Sequence, residues 1–354
     1  MKAIILSGGT GSRLRPLTFT GPKQLLPVAN KPILFYAIEA IRDAGIRDIG
    51  IIVGNTGDEI RSVVGDGSTW GVEITYLHQS EPKGLAHAVQ VAEQFIGNDS
   101  FLMFLGDNII KNGVKSFVEE FQTRNCNTLV LLSEVTEPER FGVAKFDGDR
   151  LIELVEKPKI PPSNLAVVGV YMFDPLIFNA IRYIRPSWRN ELEITDAIQW
   201  LIDSGAEVEA STITDWWKDT GKPEDVLEAN RILLETIERS IRGNVDESSA
   251  VDGRVIIEEG ATMINSIVRG PALIGHHSNI VNSYVGPFTS INSNVHLLNS
   301  EIENSIVMEN TAILNVSTRI DNSMIGKNVS IRATDLKPKS LNFVLGDQSN
   351  IVLR

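Results

Sequence analysis

Cysteine is almost absent: Cys126 is the only one in 354 residues. An internal disulfide and a cysteine zinc site are therefore excluded, and a reducing, cytoplasmic setting is expected. Aromatic residues are sparse at 6%. No apolar run approaches the ~20 residues that a membrane span requires, and the N-terminus enters a strand-like stretch without the basic region and cleavage site of a signal peptide. The 5 histidines show neither H-x-x-x-H nor H-E-x-x-H spacing, so no histidine metal site is expected. There is no Gly-x-Ser-x-Gly elbow, and Cys126 has no evident histidine partner, which removes the usual signs of nucleophilic catalysis. Basic residues are outnumbered, 33 against 45 acidic ones, for a net charge of −12. That balance argues against a nucleic-acid partner or an anionic membrane surface. Positive charge for an anionic ligand must therefore be local.

It is concentrated near the N-terminus, in KAIILSGGTGSRLRPLTFTGPKQLLPV. The apolar run Ala3, Ile4, Ile5, Leu6 reads as a buried strand that breaks into Gly8-Gly9-Thr10-Gly11. Arg13, Arg15 and Lys23 follow, with Lys23 inside Pro22-Lys23-Gln24. Glycines let a backbone approach a ligand and turn its N–H groups toward an anion, and the cations neutralise charge that amide dipoles alone cannot hold. Such a loop after a strand is how α/β proteins hold polyphosphates at the carboxyl edge of a sheet. It is not a Walker loop, because no lysine follows Gly11 within it. Nor is it the dinucleotide fingerprint, whose third glycine position holds Leu14. The chain reads as a nucleotide handler of another kind.

A chain of this length favours two domains, and its two halves are patterned differently. Up to about residue 220, strands (49–53, 74–77, 101–105, 128–133, 142–146, 151–155, 167–173) alternate with helices (32–44, 85–95, 175–183, 195–203). This predicts an α/β, Rossmann-like, mostly parallel sheet with helices on both faces. A helix over 223–241 leads away from it. Beyond, Asn-Ser pairs recur at 265, 282, 299, 304 and 322, and aliphatic residues from Ile274 to Ile331 step by five to seven. A six-residue step with an inward apolar residue predicts a parallel β-helix with coils of ~18 residues, best matched by the left-handed form. The expected domains are 1–241 and 242–354.

Three strand ends carry candidate chemistry. Asp107 closes the apolar run 101–105, and Asp219 lies in WWKDTG, read as a loop. Mg²⁺ is generally held by one or two carboxylates plus phosphate oxygens and water, which makes these two a candidate pair. Glu156-Lys157-Pro158 ends another strand, where Lys157 could clamp a phosphate or simply form a surface pair with Glu156. Gln79 with Gly84-Leu85 has the character of a base-reading element, since an amide both donates and accepts. Trp216 and Trp217 are expected to serve packing.

LSGGTGSRLRPLT…PKQLLPV, QSEPKGLAHAV, FLGDN, FGVAKFD, EKP, NELEITDAI and WWKDTG together resemble the sugar-nucleotidyltransferases over about the first 230 residues. The Lys23-Gln24-Leu25 segment is closer to the glucose-1-phosphate thymidylyltransferase branch than to the ADP-glucose or GDP-mannose branches, and the β-helical tail resembles that branch's long variants. Ser7 and Ser12 depart from the commoner alanine and threonine. The resemblance implies transfer of a deoxythymidylyl group from dTTP to glucose-1-phosphate with Mg²⁺ on Asp107 and Asp219. It assigns Gly8, Gly9, Gly11 and Arg13 to the triphosphate, Lys23 to the α-phosphorus, and Gln24, Gln79, Gly84 and Leu85 to the nucleotide. Glu156 and Lys157 would position the sugar phosphate, with Gly142, Gly169 and Glu193 lining its pocket. Arg13, Lys23, Asp107 and Lys157 are thus the expected catalytic set. Alternatives are use of UTP, a second acyl-transfer activity using His276, His277 or His296 in the tail, or a non-catalytic sugar-nucleotide sensor. The preferred role for the tail is assembly of a homo-oligomer.

Overall fold

The computed structural model describes residues 1–334 and 341–353. Contacts divide the chain into two compact units, one of Met1–Thr10, Gly21–Leu25 and Ile33–Asp219, the other of Gly11–Thr20, Leu26–Pro32 and Thr220–Arg354.

The first unit is built on a nine-stranded sheet. At its centre β1 (Lys2–Leu6) pairs in parallel with β2 (Asp48–Val53), and β2 pairs in parallel with β3 (Glu73–His78). On the other side of β1 lies β4 (Phe101–Leu105), also parallel. A short β5 (Asn108–Ile110) follows β4 outside this sheet. Further out come β6 (Thr128–Glu134), β7 (Gly142–Asp147), β8 (Arg150–Glu156), β9 (Leu165–Phe173) and β10 (Val208–Thr212). Strand β9 runs antiparallel to β4, β6 and β7, while β10 restores a parallel pair with β6. The fold class is the α/β one expected, with the parallel arrangement confined to β1–β4 and the β6–β10 pair.

Strand β1 shows why this sheet is covered on both sides. Alternate residues point to opposite faces: Ala3 and Ile5 enter one core, Ile4 and Leu6 the other. The first core is closed by α1 (Ile33–Asp43), α2 (Gly57–Val64) and α5 (Lys115–Arg124). The second is closed by α3 (Leu85–Val91), α4 (Glu93–Ile96), α6 (Leu176–Tyr183) and α7 (Ile194–Asp203). The helix expected over 85–95 is divided between α3 and α4 at Ala92, and α1 starts one residue after Pro32 because Lys31–Pro32 pairs with Pro27–Val28.

In the second unit α8 (Pro223–Leu234) ends seven residues before the expected boundary at 241. The hydroxyl of Thr236 donates to the Leu233 carbonyl (2.7 Å), and Ser240–Ile241 pairs with Ile256–Ile257 as a first β-helix strand. From there the described residues stack short parallel strands into three sheets of six, six and five strands, the expected left-handed β-helix. Its core holds Ile274, Ile280, Val285, Ile291, Leu297, Ile302, Val307, Ile313 and Ile325, with Ile320 and Ile331 partly buried against it. The Asn-Ser pairs make the corners. Asn265, Asn282, Asn299, Asn304 and Asn322 take left-handed φ of 45–49°, a conformation that asparagine tolerates better than other side-chain-bearing residues. The serines after the first four turn inward and are buried: Ser283 Oγ, for example, donates to Val281 O (2.7 Å) and accepts from Ser300 N of the next coil (3.2 Å).

Candidate active site

The carboxyl ends of the parallel strands converge at the glycine loop. Ser7 N donates to Ile52 O (2.8 Å), Gly106 N to Leu6 O (3.0 Å), and Gln79 N to Val53 O (2.9 Å). These bonds draw together the exits of β1, β2, β3 and β4, and they leave no room for side chains. A Cβ on Gly8 would lie 3.2 Å from Gln79 Oε1, and one on Gly106 would lie 2.6 Å from Ser7 Oγ. Gly9 faces the Lys23 side chain, with its Cβ position 3.5 Å from Lys23 Cε. Ser7 Oγ and Gln24 Oε1 are buried here without a hydrogen-bond partner. Buried polar atoms are rarely left so, and a binding or catalytic role is one reason for such a gap.

Lys23 forms an ion pair with Asp107, both side chains mostly shielded from solvent. Burial opposes charge on Asp107. The Lys23 ammonium, its hydrogen bond and a further one from Asn108 (Nδ2 to Oδ1, 3.1 Å) more than offset it and hold the carboxyl below the usual aspartate range. Asn108 is in turn fixed by Trp217, whose indole N–H donates to Asn108 Oδ1 at 2.6 Å. The tryptophan expected to serve only packing thus supports the carboxylate through one intermediary.

Asp219 is in a strand, not the loop expected from WWKDTG. β11 (Trp217–Asp219) pairs antiparallel with β5, in register Trp217↔Ile110, Lys218↔Ile109, Asp219↔Asn108. Asp219 therefore stands opposite the residue next to Asp107. Among the described residues no group of three or more His, Cys, Asp or Glu side chains could hold a metal by itself. Two carboxylates brought to neighbouring positions fit an ion that completes its shell with phosphate oxygens and water.

A second cluster forms around Glu156, at the end of β8. Gly142 is its cross-strand partner, and a Cβ there would come within 2.8 Å of Thr195 Cγ2 and 3.3 Å of Glu156 Oε2. Thr195 Oγ1 donates to Glu156 Oε2 (3.2 Å), and Lys157 Nζ lies 3.4 Å from Glu156 Oε1. Lys157 adopts a left-handed φ of 43°, with its N–H donating to Phe141 O (3.0 Å). The Phe141 ring meets Trp217 edge-on at 5.5 Å, so this cluster and the Asp107 support share a wall.

Arg189, absent from the sequence-derived set, is the hub. Its guanidinium reaches Glu193 Oε2 at 2.7 Å, Glu191 Oε2 at 3.0 Å and Glu156 Oε1 at 3.5 Å. The four-residue spacing from Glu193 was the only signal, and an arginine in a polar loop carries none on its own. Burial opposes ionisation of Glu193, but hydrogen bonds from Arg189 and from Ser187 Oγ (2.7 Å) hold it below the usual glutamate range. Asp196 is pushed the other way, by burial and then by the charges of Glu193 and Glu156.

Gln79 Nε2 lies 3.4 Å from the Gly84 carbonyl, and Leu85 opens α3 directly after it. Gly84 has φ +103°, and a Cβ on it would sit 2.5 Å from Leu192 O, so only glycine starts α3 here. Gly169 packs tightly against β4: a Cβ on it would lie 2.6 Å from Leu105 Cδ1. Gly11 and Arg13 belong to the second unit, where Gly11 is left-handed (φ 63°) and its carbonyl accepts from Thr18 Oγ1 (2.7 Å), framing the turn that carries Arg13. In the tail, His276 Nε2 lies 3.4 Å from Glu258, and His277 packs over Gly260.

Comparison with known proteins agrees with this geometry. Residues 2–236 match the family described as nucleotidyl transferase. The chain is 50% identical to a glucose-1-phosphate thymidylyltransferase of Streptomyces antibioticus over 100% of both chains. It is 51% identical to one of Streptomyces griseus, covering 99% of this chain and 98% of the relative. A crystal structure of a Bacillus anthracis protein assigned as a glucose-1-phosphate thymidylyltransferase, in complex with sucrose, aligns with a TM-score of 0.63 at 40% identity, covering 68% of this chain and 97% of that one. The loop, the paired carboxylates and the full-length relatives lead to one conclusion: the chain belongs to the nucleotidyl transferase family.

Proposed function

We propose that this chain transfers a deoxythymidylyl group from dTTP to glucose-1-phosphate, giving dTDP-glucose and pyrophosphate. The observation that carries the reading is the β5–β11 pairing, which sets Asp219 beside the Lys23-bound Asp107. The choice of base and sugar follows the two full-length Streptomyces relatives. A sugar-phosphate oxygen attacks the α-phosphorus in line; a new P–O bond forms, the α–β bridging bond breaks, and pyrophosphate leaves with that electron pair. A phosphate monoester is largely a dianion near neutral pH (second pKa about 6), so no general base is required. The task is to align two polyanions and to place cations where charge accumulates.

Each group has a part in this. Lys157 and Arg189 take the sugar phosphate, while Glu156 and Glu193 accept hydrogen bonds from sugar hydroxyls, with Gly142 and Gly169 shaping the pocket. Lys23 faces the α-phosphorus, and the amides of Gly8 and Gly9 carry the β- and γ-phosphates of the triphosphate. Gln24, Gln79, Gly84 and Leu85 hold the nucleoside. Enzymes of this family generally use a divalent metal. Here Mg²⁺ on Asp107 and Asp219 would draw charge from the phosphate oxygens when bound. The chemistry is assigned to residues 1–241, and 242–354 to assembly of a homo-oligomer in the cytoplasm; no helix among the described residues is long and apolar enough to cross a membrane. The test is pyrophosphate release with Mg²⁺ and glucose-1-phosphate, comparing dTTP, UTP, CTP, ATP and GTP. A preference for dTTP supports the proposal, release with UTP alone replaces the product, and no release with any of them overturns it.

A further inference from the structure

His87 lies on α3, one turn from Gly84, and the mechanism above does not use it. Its Nδ1 is 2.9 Å from Gln79 Nε2, and the same Nε2 lies 3.4 Å from the Gly84 carbonyl. The Gly84 oxygen can only accept, so the atom facing it is the amide nitrogen. An NH₂ group has two hydrogens. One goes to Gly84 O and the other to His87 Nδ1, which must then be an unprotonated acceptor with its proton on Nε2. Both donors of Gln79 are thereby spent. What remains is Oε1, directed at the glycine loop, 3.2 Å from the place where Gly8 would carry a Cβ.

We propose that His87 is a specificity-determining positioning residue: it locks the Gln79 amide as an acceptor-only reader that takes pyrimidines with a ring N3–H and rejects cytosine. This rests on the reading that Gln79 meets the nucleotide base. Thymine and uracil present a donor at N3, whereas cytosine presents a lone pair that would oppose Oε1. Rejection by an unpaired or opposed polar atom is stronger than rejection by shape alone. The lock has a built-in pH dependence. Burial, and then Lys83, hold the His87 pKa below the ordinary histidine value against the smaller opposing effect of Glu81. These are the charged groups acting on the ring. The ring therefore holds its neutral form to a lower pH than a free histidine; on acidification past that point Nδ1 gains a proton, can no longer accept, and the amide is free to turn over.

The experiment measures kcat/KM for dTTP and for dCTP, with glucose-1-phosphate and Mg²⁺, in the wild type, His87→Leu and His87→Asn. Leucine removes the acceptor, and the dTTP:dCTP ratio is expected to fall about tenfold or more, mainly through a gain with dCTP. Asparagine can place an oxygen near the Nδ1 position, so its ratio is expected to stay within about threefold of wild type at pH 7.5. The wild-type ratio should fall as the pH is taken down past and below the ordinary histidine value, and that of His87→Asn should not. Equal ratios in all three proteins, or a wild-type ratio flat with pH, overturn the role of His87 while leaving dTTP turnover intact. Absence of turnover with any pyrimidine triphosphate overturns the underlying reading as well. Should His87→Leu fail to fold, the wild-type and His87→Asn pH profiles decide the matter.

Discussion

The α/β unit and the β-helix differ in how they treat buried serine hydroxyls and the polar groups around them. In the β-helix every buried serine hydroxyl is paired, and the pattern repeats: Ser266, Ser283 and Ser300 each donate within their own coil and accept from the next one. At the strand ends of the α/β unit, Ser7 Oγ and Gln24 Oε1 are left unpaired, and three carboxylates gather on one arginine. The first arrangement serves stability and the second serves ligands. A folded chain keeps locally unfavourable groups chiefly where something else will satisfy them.

The contrast can be broken most severely at Asp107. Asp107→Asn should lower turnover by about 10³-fold while the protein stays folded, read by pyrophosphate release alongside circular dichroism. The mirror experiment is Ile302→Ala, at a fully buried β-helix position. It should cost about 2–5 kcal/mol in denaturant unfolding of the tail, with kcat of the folded enzyme unchanged. A kcat loss there would erase the division of labour. Trp217→Phe removes the N–H that holds Asn108 and should lower kcat about tenfold with KM nearly constant. The smallest effects belong to the asparagine corners. Asn282 has φ 49° and donates through Nδ2 to Asn299 Oδ1 at 3.1 Å. Asn282→Ala should cost about 1 kcal/mol or more, because alanine resists the left-handed region, and Asn282→Gly about half of that, because only the two amide contacts, to Asn299 and from Asn265, are lost.

Much of this was legible in the sequence where one signal dominates. Strand β1 is apolar on both faces and stands at the centre of the sheet. The Asn-Ser pairs marked the β-helix corners because left-handed turns and inward hydroxyls both restrict residue choice. The place of Asp107 at the edge of the sheet was legible because an apolar strand ends two residues before it. The rest depended on long-range pairing. β11 is three residues long and exists because β5 is opposite it, so WWKDTG alone reads as a loop. Arg189 and His87 acquire meaning only from partners on other elements. The end of α8 was misplaced because its pattern, VLEANRILLETIERSI, continues as a helix until Ser240–Ile241 finds a strand partner.

The central claim is that Asp107 and Asp219 act as one unit on the polyphosphate. It is tested most directly by a double-mutant cycle on kcat/KM with Asp107→Asn, Asp219→Asn and the double variant. Residues that act together give a double variant little worse than the more damaged single one. If the two losses instead multiply in full, as for independent sites, the shared site is contradicted.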